Sequence, residues 1–120
     1  MDRFQNNSVQ IVDIASGEWS EHPRFKEISM KPLLSSSDNP NASVNVVRVP
    51  PGKIISSHTH TTQIETVFVI QGKTRLRISG QEFPFEKGNI VALPAGVAHE
   101  LENVGQEMVE LLTIFTPPLS

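Results

Sequence analysis

Cysteine is absent from the 120-residue chain. That excludes a disulfide framework, a Cys-ligated zinc knot, an iron–sulfur cluster and a thiol nucleophile. Long apolar runs are missing as well: nothing approaches the roughly eighteen consecutive apolar residues of a membrane span. Met1 to Ser8 lacks the apolar centre of a secretory leader, so the expectation is a cytoplasmic protein. Basic charge is not in excess, because ten Lys plus Arg stand against thirteen Asp plus Glu, a formal net charge of −3. Such a balance lacks the electrostatic footprint of a nucleic-acid binder and offers nothing to an anionic membrane. With 38% hydrophobic and 19% charged residues the chain is too apolar to be disordered. Residues 1–120 read as one domain, N-terminal strands within 1–42 and a barrel over 43–116, long enough for a core without staples.

What is present is β-structure. Nine prolines and seven glycines cut the chain into short pieces rich in Val, Ile, Thr and Phe. Strands are predicted over Val9–Ile14, Phe25–Met30, Val44–Val49, Glu65–Ile70, Thr74–Ile78, Glu82–Phe85, Ile90–Leu93, His99–Leu101 and Val109–Phe115. No window keeps an i, i+3, i+4, i+7 apolar stripe, so little helix is expected. Gln71-Gly72-Lys73 and Ser79-Gly80-Gln81 read as reversals between antiparallel strands, and Pro84 marks an edge or bulged strand. Ser35 to Ser43 is the only biased segment and reads as a loop within the domain. Val67 to Ile70 and Leu111 to Phe115 are apolar on both faces, so N-terminal strands or a second copy of the chain must cover them; a homodimer is the expectation.

Three of the four histidines stand in a tight pattern. His58-Thr59-His60 places two imidazoles on one face of a strand, and Glu65 follows five residues later. Two same-face histidines with a carboxylate nearby point to a metal rather than to a surface or core role. His22, beside Glu21 and Pro23 with no partner at ligand spacing, is assigned none. Gly72-Lys73-Thr74 lacks the upstream glycine and following helix of a phosphate loop.

Glycine and proline spacing completes two motifs. The first runs Gly52, five residues, His58, one, His60, four, Glu65, six, Gly72; the second runs Gly88, five, Pro94, one, Gly96, two, His99, three, Asn103. A chance match to either is about one in a million per starting position at average residue usage. The chain resembles a small single-domain cupin. The resemblance implies an all-β, antiparallel jelly-roll barrel. It also implies one divalent transition metal held by His58, His60, Glu65 and His99. Nitrogen and oxygen donors without sulfur suit iron, manganese, nickel, cobalt or zinc. Gln63 is a minor alternative ligand, and Asn103 is read as structural.

Strand parity turns Val67, Val69, Leu76, Ile78 and Leu101 inward, joined by Val47 and Val49, while Arg48, Arg75 and Arg77 point outward. A mostly apolar pocket suits a small organic ligand that chelates the metal. Inward cations that would hold a phosphosugar are lacking, which disfavours isomerisation and leaves dioxygenase, decarboxylase or hydrolytic chemistry open, the dioxygenase type favoured over isomerisation. No catalytic residue beyond the ligands stands at a motif position. A non-catalytic small-ligand sensor using the same metal is the first alternative, and a structural metal in a dimeric interaction protein the second. Ser35 to Ser43 is a candidate lid.

Overall fold

The computed structural model describes residues 9–119, together with the backbone of residues 3–6. The short β-branched runs form strands: β1 (Arg3–Asn6), β2 (Val9–Val12), β3 (Ser20–Glu21), β4 (Ser29–Leu34), β5 (Ser43–Val49) and β6 (Ile54–His58). After them come β7 (Ile64–Gln71), β8 (Lys73–Ile78), β9 (Gln81–Glu86), β10 (Ile90–Leu93), β11 (His99–Asn103) and β12 (Val109–Thr116). No helix occurs among the described residues.

Two antiparallel sheets face each other, one in the order β10-β7-β12-β5-β4-β3 and the other β6-β11-β8-β9. Their inner faces bury alternate residues, so Val49, Val69, Leu76, Phe85, Leu101 and Val109 meet in one core. This is an all-β jelly roll. β3 and β4 extend the sheet of the motif-bearing strands, while β1 and β2 pair, among the described residues, only with each other.

Four local readings change. The predicted Phe25–Met30 strand is a loop up to Ile28, closed by Ile28 N–H to the Phe25 carbonyl and His22 N–H to the Ile28 carbonyl. Glu27 there takes a positive φ of 67°, and the strand begins instead at Ser29 and runs through Pro32. The predicted Val9–Ile14 strand ends at Val12, where Asp13 Oδ1 accepts from Ala15 N–H and starts a turn. β6 was hidden by Ser56-Ser57, which lack strand propensity; its pairing with β11 makes it a strand. Gly72 joins no hairpin, because β7 and β8 belong to different sheets and the chain crosses between them there. Ser79-Gly80, with φ of 51° and 78°, is the expected reversal: a two-residue loop of the type I′ kind linking β8 to β9. Pro84 sits on β9, at a sheet edge where its missing N–H costs no ladder bond.

The arginines point outward as expected. Arg77 lies directly across from Glu82 and Glu100, and Arg75 across from Glu102, and all three carboxylates pair with them. On the other sheet, an N-terminal segment covers the β4–β5 region: buried Lys31 donates to the Ile14 carbonyl at 2.6 Å. The Trp19 ring takes Lys31 Nζ at 4.8 Å and the Arg48 guanidinium at 4.1 Å. The outer faces of β7 and β12 are covered only in part, leaving Phe68, Ile70, Leu112 and Ile114 half-buried.

Candidate metal centre

The two motifs converge through strand pairing. His99 on β11 is the register partner of His58 at the end of β6. Glu65 on β7 lies between Leu93 of β10 and Phe115 of β12. His60 stands beyond the end of β6, not on it, and its carbonyl accepts from Gly96 N–H at 2.8 Å. That bond ties the first motif to the Pro94–Gly96 turn of the second. Ligand-capable atoms of His58, His60, Glu65 and His99 thereby lie within 4.8 Å of one another, with all but His58 buried. Gln63 stays outside this cluster; its amide reaches the Pro118 carbonyl at 3.5 Å.

Hydrogen bonds behind the rings fix which nitrogens face inward. His58 Nδ1 lies 2.8 Å from the Ser56 carbonyl and His99 Nδ1 lies 3.0 Å from the Val97 carbonyl. A carbonyl only accepts, so both Nδ1 atoms carry the proton and the Nε2 lone pairs are left for a metal. His99 Nε2 then faces Glu65 Oε1 at 3.1 Å, an arrangement that needs a proton or a cation on the nitrogen. His60 Nε2 is buried 3.3 Å from the same oxygen without hydrogen-bonding geometry to any described partner. An orphaned buried nitrogen and two fixed imidazoles beside a carboxylate fit a divalent cation.

The electrostatics agree. Burial pushes the Glu65 carboxyl upward, but the His60 and His99 rings against it outweigh that and hold the group at about 2. Burial pulls His99 down, yet the Glu65 carboxylate and the Val97 carbonyl overcome it and raise the ring above its ordinary value. His58 is lowered, chiefly by burial. The carboxylate is thus ionised and ready to ligate throughout the neutral range.

A cavity of about 340 Å³ opens beside the cluster. Val47, Val67, Leu76 and Leu101 line it as parity predicts, whereas Val49 and Val69 are packed in the core behind it and Ile78 faces a separate cleft. Ser35 to Ser43 does not line the cavity. The mouth is formed instead by His22, Pro23, Arg24 and Phe25, in the loop before β4. Phe25 bridges that loop to the cluster, its ring 4.8 Å from His22 and 4.9 Å from His58. His22 Nδ1 accepts from Arg24 N–H at 3.0 Å, which keeps the neutral ring's proton on Nε2. Burial, with Arg24 next, lowers its pKa and favours that neutral form. Sequence spacing gave His22 no role because its neighbours here come from the folded loop, thirty-odd residues from His58. Asn45 and Thr113 also line the cavity, and only their inward parity on β5 and β12 could have signalled it. Asn103 is structural as expected: its amide donates to the Val49 and Glu107 carbonyls and accepts from Gly105 N–H.

Comparison with known proteins places this architecture. The chain is 26% identical to oxalate decarboxylase of Bacillus subtilis over 123 aligned positions, covering 86% of this chain and 32% of that protein. It is 28% identical to an uncharacterized protein of Methanocaldococcus jannaschii over 72 residues, 60% of this chain and 58% of that one. The chain therefore spans about a third to three fifths of the length of these curated relatives. Its fold superposes with a TM-score of 0.81 on a predicted oxalate decarboxylase from Thermotoga maritima, at 20% identity, covering 89% of this chain and 98% of the other. The family model for the cupin domain matches residues 45–115, more than half of the chain, and with both motifs on one barrel the chain belongs to the cupin family.

Proposed function

We propose that this cupin is a metal-dependent enzyme acting on a small organic molecule, with dioxygenase-type chemistry favoured over isomerisation. His58, His60, Glu65 and His99 would hold one iron, manganese, nickel, cobalt or zinc ion. The observation that carries the reading is the junction of the two features. An ionised carboxylate, two imidazoles oriented by backbone carbonyls and the unpartnered His60 nitrogen open directly into a mostly apolar cavity of about 340 Å³. A purely structural ion needs no such cavity. A bound divalent metal would supply Lewis acidity, or a site for oxygen chemistry, at the cluster. The mostly apolar walls would limit competing water there, and His22 at the mouth, its Nδ1 taken by Arg24 N–H, would have Nε2–H as its donor for an oxygen of the ligand. Arg24, exposed at the rim, is the only lysine or arginine lining the cavity among the described residues. One rim cation does not make a phosphate clamp, which speaks against phosphosugar isomerisation. The relatives named oxalate decarboxylase make carboxylate-bearing ligands the first class to screen.

The deciding measurement is elemental analysis of protein purified without chelators, beside His99→Ala, with circular dichroism on both. The expected result is roughly one metal ion per chain in the parent and loss in a variant that keeps its β-sheet spectrum. Oxygen uptake with small aromatic and dicarbonyl acids then reads the reaction. Absence of stoichiometric metal in the parent overturns the reading. Metal without oxygen uptake or any product overturns the enzymatic half and leaves a ligand-binding module.

We further propose that two copies of the chain pair. The β1–β2 hairpin is hydrogen-bonded into neither barrel sheet, and Val9 and Ile11 of β2 lie side by side on one face, 55% and 60% exposed. Ile90 of β10 is 66% exposed on the outer face of the six-stranded sheet. Reciprocal docking of the hairpin on a partner's outer face would cover both.

A further inference from the structure

One layer deeper than the cluster, the cavity wall carries two polar side chains with no assigned work. Asn45 on β5 and Thr113 on β12 are direct register partners. Each is 4% exposed and each lines the cavity. Around them stand Val47, Val67, Leu111 and Phe115, all apolar. Among the described residues, neither side chain has a hydrogen-bond partner in the protein beyond the strand ladder of its own backbone. Their polar atoms are not sealed in the packed core but open to the cavity, where a bound molecule can meet both at once.

Their position follows from the register. Phe115 pairs with Glu65, and Thr113 pairs with Val67, two residues further along. Two residues of strand rise roughly 7 Å. The polar pair therefore sits about one six-membered ring beyond the level of the Glu65 carboxylate, on the way to the fully buried Val49, Val69 and Val109. The cavity volume equals on the order of ten water volumes, room for a ligand of about that many heavy atoms.

We propose that Asn45 and Thr113 form a recognition site for a neutral hydrogen-bonding group at the far end of the ligand. The inference rests on the metal-centre reading, which places the ligand's oxygen-donor head at His58, His60, Glu65 and His99. An amide and a hydroxyl both donate and accept, so the matching group is a hydroxyl, which does the same. A second carboxylate or a phosphate does not fit, since among the described residues no lysine or arginine lines the cavity at this depth and the charge would be buried unpaired. The ligand class is thus a hydroxylated carboxylic acid with an apolar body, longer than a bare dicarboxylate.

The test uses zinc-loaded protein titrated calorimetrically with benzoate, 3-hydroxybenzoate and 4-hydroxybenzoate, with zinc per chain measured on the same samples. One hydroxybenzoate is expected to bind about tenfold tighter than benzoate, the scale of one satisfied buried polar site. In Thr113→Val, close to isosteric, and in Asn45→Leu, that advantage should shrink to about threefold or less, with benzoate affinity and zinc content held. Hydroxybenzoates no tighter than benzoate, an advantage untouched in the folded Thr113→Val protein, or no saturable binding by protein that holds its zinc each overturn this inference alone. Failure of the parent to hold zinc or any other divalent ion overturns the metal-centre reading, and the inference with it.

Discussion

Glu65 sets the electrostatics of the cluster. Its carboxyl is held at about 2 against burial, and His99 is held above its ordinary value by the same contact. Without metal, the two form an ion pair wherever His99 is protonated. The Glu65 contribution is complete above its ordinary value of 4.5 and fades as the pH falls toward about 2. The His99 contribution is complete below its ordinary 6.5 and fades as the pH rises through its raised value. Metal-free Glu65→Gln should therefore be less stable than metal-free parent by the widest margin between those limits, with the gap narrowing on both sides. Urea unfolding of both proteins from about pH 3 to about pH 9 measures it. A gap independent of pH would show that Glu65 acts there through packing alone. Added zinc should widen the gap at neutral pH, where the metal takes the place of the His99 proton. At this scale the sequence was most legible: motif spacing identified the four residues that the fold brings together. His22, Asn45 and Thr113 were not legible, because a lone polar residue acquires meaning only from what folding sets beside it.

Strands and turns show the same division. Runs such as Val44–Val49 and Val109–Phe115 carry enough β-branched and aromatic residues to be read within a residue or two. β6 was not read because pairing to β11, not propensity, makes Ile54–His58 extended. Gly72 looked like a hairpin glycine, but its need is different. Its φ is 100°, and an added Cβ would come 2.7 Å from Val109 Cγ2 and 3.1 Å from Val109 Cα. The crossing from one sheet to the other thus requires glycine for both conformation and space, whereas Gly88, with φ 89°, has no atom within 4 Å of an added Cβ. Gly88→Ala should cost about 1–2 kcal/mol from backbone strain alone. Gly72→Ala should cost a further 1–3 kcal/mol or so, since Val109 is fully buried and cannot yield freely. Chemical denaturation of the two variants compares them. Equal losses would mean that Val109 shifts aside at no cost and that the crossing is looser than its packing implies.

The whole molecule poses the question of what covers its remaining apolar surface. Part of the six-stranded sheet is closed by the chain itself, through Lys31, Trp19 and Ile14. That answer stops at β5; over β7 and β12, Phe68, Ile70, Leu112 and Ile114 remain half-buried, and Ile90 is largely exposed. Apolar character on both faces of β7 and β12 was visible in the sequence, but alternation along a strand says only that cover is needed, not whose. The hairpin supplies a candidate of matching character. A two-stranded ribbon is marginal in water by itself, and this one turns Val9 and Ile11 outward together. If a partner chain is what they meet, Val9→Lys with Ile11→Lys should leave the barrel and its metal content intact. The same change should weaken self-association by about a hundredfold or more, as burying a charge in an apolar contact does. Sedimentation equilibrium of the parent and the double variant, beside circular dichroism and metal analysis, separates the possibilities. A monomeric parent at tens of micromolar, or a variant that dimerises as tightly, would refute the hairpin exchange. A variant that becomes monomeric with its metal retained would show that the hairpin governs assembly while the barrel alone governs the metal site.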